Sequence, residues 1–304
     1  MANNWKFLPI AFLQGKFIPF TEAKLSIAVH ALHYGTAAFG GLRGTIGESG
    51  EVLLFRLDRH SKRLSNSAKY LNYQIAPEFI AETIIKFVRQ NQPKTSFYIR
   101  PLVYNSTLGI TPKMQDESDL LIYGLELDDY LPSEGVRCAI ASWQRQVDAS
   151  LPLRGKITGT YITSCLAKTE ALSRGFDEAL LLNNQGKICE ATGMNIFLVR
   201  DGKLITPGVE QDILEGITRD SVIHLARNEF NLEVIERAVD KTELAIADEV
   251  FLTGTAARVT PVKQIEQFVL PESRPITEML RNKLMAITQE KDPAYEHWLT
   301  RIKF

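Results

Sequence analysis

The sequence has few of the features that mark secreted, membrane-spanning or nucleic-acid-binding proteins. Its three cysteines form no CxxC pair, which argues against a disulfide framework or a zinc site. We expect all three to be buried thiols without a catalytic role. The sequence has no run of about 18 apolar residues, the length needed to span a bilayer. The formal net charge of −1 gives no electrostatic reason to expect binding to nucleic acid or to a membrane surface.

The N-terminal region and the histidines exclude two further classes. Residues 1–20 are apolar but interrupted by lysines and prolines, unlike a signal peptide. The five histidines show no metal-ligand spacing, so we interpret them as structural or surface residues. Together with the unpaired cysteines, these observations predict a cytoplasmic protein without a metal.

The composition is that of an ordinary globular protein, with 45% apolar and 23% charged residues in 304. Short strands grouped separately from helices predict an α+β fold rather than a regular βαβ array. A stretch with acid, proline and glycine but no periodicity, 128–136, predicts an interdomain linker. We therefore predict a small N-terminal α+β domain over 1–127 and a larger C-terminal domain over 137–304.

Hydrophobic periodicity and turn residues predict the individual elements. A hairpin is expected around Gln14 and Gly15, and no repeat of fixed period is present. The other predicted strands cover 52–55, 96–104, 120–127, 137–142, 232–236 and 249–253, and the predicted helices cover 57–71, 158–174 and segments beginning at 77, 217 and about 276.

Three residues in order, Lys156, Tyr161 and Glu190, have the chemistry needed to hold and use pyridoxal phosphate (PLP). A lysine amine can form a Schiff base with an aldehyde. A carboxylate can keep a pyridine nitrogen protonated, and a phenol can hydrogen-bond the ring oxygen. Each residue alone has a simpler interpretation, such as a solvated lysine or a turn carboxylate. The ordered set is far more specific.

Candidate phosphate donors lie at three places. Gly216-Ile217-Thr218 precedes a periodic helix, whose first N–H groups attract anions. The small-residue turn 254–257 follows a predicted strand, and Arg63 can supply a fixed charge with a bidentate grip. Single Gly-Thr turns are common, so each of these signals is weak by itself.

One strand carries a polar face that either binds a carboxylate or forms a structural ion pair. Tyr98 and Arg100 lie two residues apart, which places them on the same side of a strand. An arginine inside an apolar strand is costly unless it is paired. Tyr34 is ambiguous in the same way.

These residues resemble the class IV (fold type IV) PLP-dependent aminotransferases, and within them the branched-chain amino-acid aminotransferases. The Tyr98-Ile-Arg-Pro-Leu102 element favours the branched-chain enzymes over D-amino-acid relatives. The similarity covers nearly the whole chain and runs through 30–36, 55–64, 98–102, 190–197, 204–206, 214–219 and 254–261.

The resemblance implies a role for each matching residue. Lys156 is the Schiff-base lysine, Glu190 the partner of the pyridine nitrogen and Tyr161 the contact of the ring oxygen. The phosphate is held by Arg63, Ile217, Thr218 and Thr255, and Gly193 is the remaining cofactor-binding residue. The substrate-binding residues are Tyr34, Phe39, Tyr98, Arg100, Ile110, Leu127, Tyr130, Thr255 and Ala256.

Within that substrate set, Tyr98 and the turn amides of Thr255 and Ala256 bind the α-carboxylate, and Arg100 helps hold the second carboxylate of glutamate. In this family the counterparts of Tyr34 and the loop near Ile110 reach into a neighbouring subunit's site. The resemblance therefore implies a homodimer or a hexamer built as a trimer of dimers.

The implied activity is reversible transamination between leucine, isoleucine or valine and 2-oxoglutarate, with biosynthesis as the cellular direction. Three positions depart from the family pattern: Gly40 and Met194 replace expected glutamates, and Leu127 stands where a pocket tryptophan is expected. Gly40 and Leu127 leave fine specificity open. The alternatives are a D-amino-acid or (R)-amine transaminase of the same fold, an aminodeoxychorismate lyase, and a non-catalytic PLP-binding protein.

Overall fold

A computed structural model describes residues 5–114, 117–127 and 131–304. The strands, in chain order, are β1 Ile10–Leu13, β2 Lys16–Pro19, β3 Ala37–Phe39, β4 Leu42–Ile46, β5 Val52–Phe55, β6 Phe97–Asn105, β7 Ser118–Glu126, β8 Val136–Gln144, β9 Glu178–Leu182, β10 Ile188–Ala191, β11 Asn195–Arg200, β12 Lys203–Thr206, β13 Val234–Glu236, β14 Glu249–Gly254, β15 Arg258–Ile265, β16 Phe268–Val269 and β17 Leu299–Ile302. The helices are α1 His30–Tyr34, α2 Leu57–Lys69, α3 Pro77–Asn91, α4 Tyr161–Ser173, α5 Ile217–Asn228 and α6 Pro275–Thr288. The mixed content confirms the predicted α+β fold.

The chain divides into two compact units. Unit 1 comprises Met1–Asp128, Gly155–Gly159 and Ala286–Phe304, and unit 2 comprises Asp129–Arg154 and Thr160–Met285. The predicted boundaries, 1–127, 128–136 and 137–304, therefore need two corrections, because two segments of the predicted second domain belong to unit 1. Residues 286–304 join unit 1 because β17 pairs with β5.

The second segment, Gly155–Gly159, is held in unit 1 by hydrogen bonds. The Phe39 amide donates to the Lys156 carbonyl over 2.8 Å. The Thr158 hydroxyl donates to the Gly35 carbonyl over 2.6 Å, and Ile157 lies in the hydrophobic core of the unit. Local sequence does not reveal these hydrogen bonds, since each joins residues more than a hundred positions apart in the chain.

Unit 1 is built on an antiparallel sheet with the strand order β17-β5-β4-β6-β7-β1-β2, and β3 pairs with β6. Helix α2 packs with α3 and turns Leu57, Leu64 and Ala68 into the core at helical spacing. Pro77 occupies the first turn of α3, where a missing N–H costs nothing. Each buried Leu, Ile or Phe of this core contributes about 1.5–3 kcal/mol relative to exposure.

Unit 2 contains a mixed sheet with the order β10-β9-β8-β15-β14-β11-β12-β13, and β16 pairs with β15. Strand β8 runs parallel to both β9 and β15. Opposite residues on β11 and β14 include Phe197 and Phe251, whose stacked rings lie 5.0 Å apart. Such cross-strand aromatic pairs stabilise a sheet beyond the area they bury.

The cysteines are distributed differently from the prediction. Cys138 and Cys189 are buried, and burial raises the pKa of both thiols, which makes them poor nucleophiles. Cys165 is exposed on α4, so the prediction of three buried thiols was wrong for this residue. No helix in the described parts of the chain is long and apolar enough to cross a membrane.

Candidate active site

Lys156 is anchored in unit 1 through its backbone. Its amide donates to the Ser67 hydroxyl over 3.0 Å, and that hydroxyl donates to the Arg63 carbonyl over 2.8 Å. The amine of Lys156 lies 4.7 Å from the centre of the Phe39 ring, a distance at which a cation is attracted to an aromatic face. Ser67 therefore connects the lysine segment to the helix that carries Arg63.

His60, on the same helix, is a buried histidine with an exposed fraction of 3%. Its burial, reinforced by the positive charges of Arg63, Lys156 and Arg56, lowers the pKa of His60 well below 6.5. The imidazole is therefore neutral at pH 7. Two of the cations that act on it, Arg63 and Lys156, are residues of the predicted cofactor site.

The predicted polar face on β6 is present. Tyr98 and Arg100 are both half-buried, while their neighbours Phe97 and Ile99 are fully buried. The Arg100 guanidinium donates to the Tyr98 hydroxyl over 3.2 Å and lies 4.8 Å from the centre of the Phe39 ring. One aromatic ring thus contacts both the Lys156 amine and the Arg100 guanidinium.

Two glycines beside Phe39 make room for this arrangement. A Cβ atom at Gly41 would overlap the Tyr98 hydroxyl, and one at Gly40 would lie 2.9 Å from the Pro101 side chain. The glutamate expected at position 40 would therefore require Pro101 to move. The departure at Gly40 matches the local packing of this chain.

The remaining predicted substrate residues of unit 1 differ in exposure. The exposed Tyr34 donates a hydrogen bond from its hydroxyl to the carbonyl of Ile110, whose side chain is 83% exposed. Leu127 is buried, and its carbonyl accepts a hydrogen bond from Arg43 over 3.1 Å. Tyr130 lies outside the described residues.

In unit 2, Glu190 lies on β10 with an exposed fraction of 6%. Its Oε1 forms an ion pair with Arg145 Nη2 over 2.8 Å. Its Oε2 accepts hydrogen bonds from Asn195 Nδ2 over 3.1 Å and from the Leu214 amide over 3.0 Å. Three donors, one of them a cation, stabilise the buried carboxylate as an anion.

No role was predicted for Arg145, Asn195 or Ser67, although Asn195 lies within the family-like stretch 190–197. Arg145 follows directly after β8 between two glutamines, a context typical of a surface residue. Its partner Glu190 is distant in sequence, so only the sheet brings the two together. No local pattern could have identified this ion pair.

Two of the predicted phosphate donors, Ile217 and Thr218, lie at a helix start. Gly216 is the N-cap of α5, and Ile217 and Thr218, the first two helical residues, are buried. Amides at this position have no acceptor within the helix and favour an anion. Tyr161 is the first residue of α4 and is half-buried.

The second predicted turn, 254–257, begins at the last residue of β14 and connects β14 to β15, and Thr255 and Ala256 are half-buried. Met194 is buried, and its side chain reaches within 3.0 Å of a Cβ position built on Gly254. A glutamate at position 194 would bury a charge against this turn, which is unfavourable. Gly193 lies at an exposed corner of the turn between β10 and β11.

The donor set fits PLP. An anionic carboxylate suits a protonated pyridine nitrogen, helix-start amides suit a phosphate, and a lysine amine suits an aldehyde. Among the described residues, no group of three or more His, Cys, Asp or Glu side chains could hold a metal ion.

Comparisons with known proteins agree with this chemistry. The amino-transferase class IV family matches residues 43–265. A probable branched-chain-amino-acid aminotransferase of Synechocystis sp. is 60% identical over 300 residues, covering 98% of each chain.

Solved structures give the same result. The branched-chain aminotransferase of Thermoproteus uzoniensis with norvaline has a TM-score of 0.93 at 36% identity, covering 97% of this chain and 99% of that one. The branched-chain amino acid aminotransferase of Thermobaculum terrenum in its PLP form has a TM-score of 0.90 at 35% identity, covering 98% of this chain and 100% of that one. The chain therefore belongs to the class IV aminotransferases, a family of PLP-dependent enzymes that act on amino and oxo acids.

Proposed function

We propose that this chain transfers the amino group between a branched-chain L-amino acid and 2-oxoglutarate. The products are a branched-chain 2-oxo acid and L-glutamate, and the reaction is reversible, with biosynthesis of leucine, isoleucine and valine as its cellular role. Two observations support the substrate class. The relatives named above are branched-chain aminotransferases, and Arg100 lies against the aromatic side chains of Phe39 and Tyr98.

Lys156 is the residue that we assign to covalent attachment and proton transfer. When bound, PLP supplies an electrophilic carbon and a ring that withdraws electrons from the amino acid's Cα. The Lys156 amine, once displaced by the substrate's amino group, would take the proton from Cα as general base and deliver it to the former aldehyde carbon of the cofactor as general acid. The Phe39 ring beneath this amine and the Ser67 contact to its backbone fix its starting position.

The other cofactor residues hold their groups in fixed orientations. Glu190, held by its three donors, would stabilise a protonated pyridine nitrogen. We assign the ring oxygen to Tyr161 and the phosphate to four donors that include a helix start and a cation. These phosphate donors are Arg63, Ile217, Thr218 and Thr255, and Gly193 is the remaining cofactor-binding residue.

One pocket must accept both an apolar branched chain and the γ-carboxylate of glutamate. Phe39, Leu127 and Tyr130 form the apolar wall in this proposal. Arg100 supplies a charge-assisted hydrogen bond for the γ-carboxylate. Tyr98 and the turn amides of Thr255 and Ala256 bind the α-carboxylate common to both substrates.

Assembly and location complete the proposal. Tyr34 and Ile110 are exposed on unit 1, together with Ile27, Leu32 and Leu108. Exposed apolar residues in one region favour a protein partner. We propose that the partner is a second copy, giving a homodimer or a hexamer that is a trimer of dimers, and that the protein is cytoplasmic.

A substrate panel tests the proposed function. The purified protein with PLP is offered L- and D-amino acids with 2-oxoglutarate, and Lys156→Ala is the control. We expect turnover with L-leucine, L-isoleucine and L-valine and none with Lys156→Ala, because the attachment point and the proton carrier are both lost.

Three other results would contradict the proposal. Preference for D-amino acids or (R)-amines would indicate the same-fold transaminases, and elimination without an amino acceptor would indicate a lyase. A wild-type protein that shows no visible cofactor band after purification with PLP would indicate a non-catalytic protein.

A further inference from the structure

Asn195 donates one of the three hydrogen bonds or ion pairs to Glu190, and it makes further contacts that the proposed function does not use. It is the first residue of β11, opposite Glu190 in the sheet register, with an exposed fraction of 5%. Its Nδ2 donates to Glu190 Oε2 over 3.1 Å and to the Leu214 carbonyl over 2.8 Å. The two N–H groups of one amide are thus both used, and this fixes which end of the amide is nitrogen.

The other end of the same amide touches the cap of α5. A Cβ atom built on Gly216 would overlap Asn195 Oδ1. Gly216 has φ −72° and ψ 137°, angles that an alanine adopts without strain. The requirement for glycine at position 216 therefore comes from the space that Asn195 occupies.

Two further bonds close this arrangement. The Leu214 amide donates to Glu190 Oε2 over 3.0 Å. Arg145, the ion-pair partner of Glu190, donates from Nε to the carbonyl of Asp212 over 3.2 Å. The loop 212–216, which leads into α5, is thus bound to the Glu190 carboxylate through Arg145, Asn195 and its own backbone.

We propose that Asn195 is a positioning residue that fixes the span between the Glu190 carboxylate and the start of α5. The inference rests on the proposed cofactor site, in which the carboxylate meets a ring nitrogen and the helix start meets a phosphate. Because the buried Asn195 side chain contacts both the Glu190 carboxylate and the start of α5, it sets the distance between them before any ligand binds. A ligand that carries both a ring nitrogen and a phosphate can then make both contacts without a cost for rearranging the site, and it binds more tightly.

The ratio of two dissociation constants measures this effect. Pyridoxal has the ring and lacks the phosphate, so the dissociation constant of pyridoxal divided by that of PLP reports how much the phosphate adds. Both are measured on the apo-enzyme by the absorbance of the bound aldehyde. We expect Asn195→Ala to lower this ratio by about tenfold, or about 1.4 kcal/mol.

Asn183→Ala is the matched control. Asn183 is equally buried in unit 2, and its side chain holds the turn between β9 and β10 through the amides of Gln185 and Lys187. Its Nδ2 also donates to Gln211 Oε1 over 3.2 Å, one residue before the loop 212–216. None of these bonds involves Glu190, Asn195 or α5, so the loss of Asn183 should lower thermal stability without changing the ratio. An Asn195→Ala variant that folds and keeps the wild-type ratio overturns the inference.

Gly216→Ala gives a second, independent variant. The added methyl group displaces Asn195 Oδ1, so PLP should bind more weakly. In the Asn195→Ala background the methyl group has room, so the two effects should be strongly non-additive. Additive losses would contradict a shared cause. A wild-type protein that binds PLP no more tightly than pyridoxal would overturn the proposed cofactor site and this inference together.

Discussion

The two units hold their key charged residues in different ways. Glu190 in unit 2 is almost fully buried. It forms an ion pair with Arg145 and accepts hydrogen bonds from the Asn195 side chain and the Leu214 amide. Arg100 in unit 1 is half-buried and lies against the rings of Phe39 and Tyr98. The first environment is specific for one charge state, whereas the second combines a cation with apolar surface.

This difference matches what each residue is proposed to meet. The ring nitrogen of the cofactor is the same group in both half-reactions, so a rigid anion beside it needs no adjustment. The substrate side chain alternates between a branched hydrocarbon and the γ-carboxylate of glutamate, so Arg100 beside it must tolerate both. Aromatic rings pack against hydrocarbon and also attract a guanidinium, which makes them suitable neighbours for Arg100.

Replacing Glu190 should produce the largest effect. In Glu190→Gln, an amide replaces the anion, the proposed ring nitrogen loses its charged partner, and Arg145 loses a buried one. We expect single-turnover rates to fall by roughly 10–100-fold with both leucine and glutamate, from about 1.5–3 kcal/mol for a hydrogen bond to a charged group. The absorbance change of the bound cofactor measures these rates. Wild-type rates would show that Glu190 has only a structural role in β10.

Replacing Arg100 should have a selective effect. Arg100→Met removes the donors and keeps an apolar stem of similar length. We expect the glutamate and 2-oxoglutarate half-reactions to slow by about 10-fold or more, and the leucine half-reaction much less. Equal losses for leucine and glutamate would contradict the proposed role, and they would favour an α-carboxylate contact or a structural one.

The smallest expected effect is that of His60 on how the stability of unit 1 depends on pH. Because burial lowers the pKa of His60 well below 6.5, the unfolded chain binds a proton that the folded chain does not. The stability from this neutral imidazole is complete above about pH 6.5. It declines as the pH falls below that value, by up to about 1.4 kcal/mol per pH unit.

His60→Phe should therefore reduce the fall in Tm between about pH 7 and pH 5.5, measured on the apo-protein. Replacing the exposed His224 with phenylalanine is the control and should leave that fall unchanged. An unaltered pH dependence in His60→Phe would show that other groups dominate acid sensitivity in unit 1.

The sequence predicts well whatever depends on local pattern. Val52–Phe55 was predicted with its observed bounds, and helix α3 begins at Pro77 as expected. The alternation along β6 placed Tyr98 and Arg100 together correctly. These features follow from the twofold and 3.6-fold periods of strands and helices, which a single segment displays.

Features that depend on distant partners were missed. Strand β4 contains Gly44 and follows two glycines, which weakens a strand signal, and β17 is recognisable only by its pairing with β5. Asn195 is an ordinary polar residue until the fold places Glu190, Leu214 and Gly216 around its amide. The residue types of the site were readable, but the contacts that orient them were not.

The pairing of β17 with β5 has a consequence for how the protein folds during its translation. All of unit 2 emerges from the ribosome before Leu299–Ile302 does. Unit 2 can therefore fold while unit 1 still lacks its edge strand β17. During that interval the open edge of β5 presents unpaired backbone groups, which favour aggregation. The nascent chain is therefore vulnerable until Leu299–Ile302 has emerged, because a strand made after unit 2 protects a strand made before it.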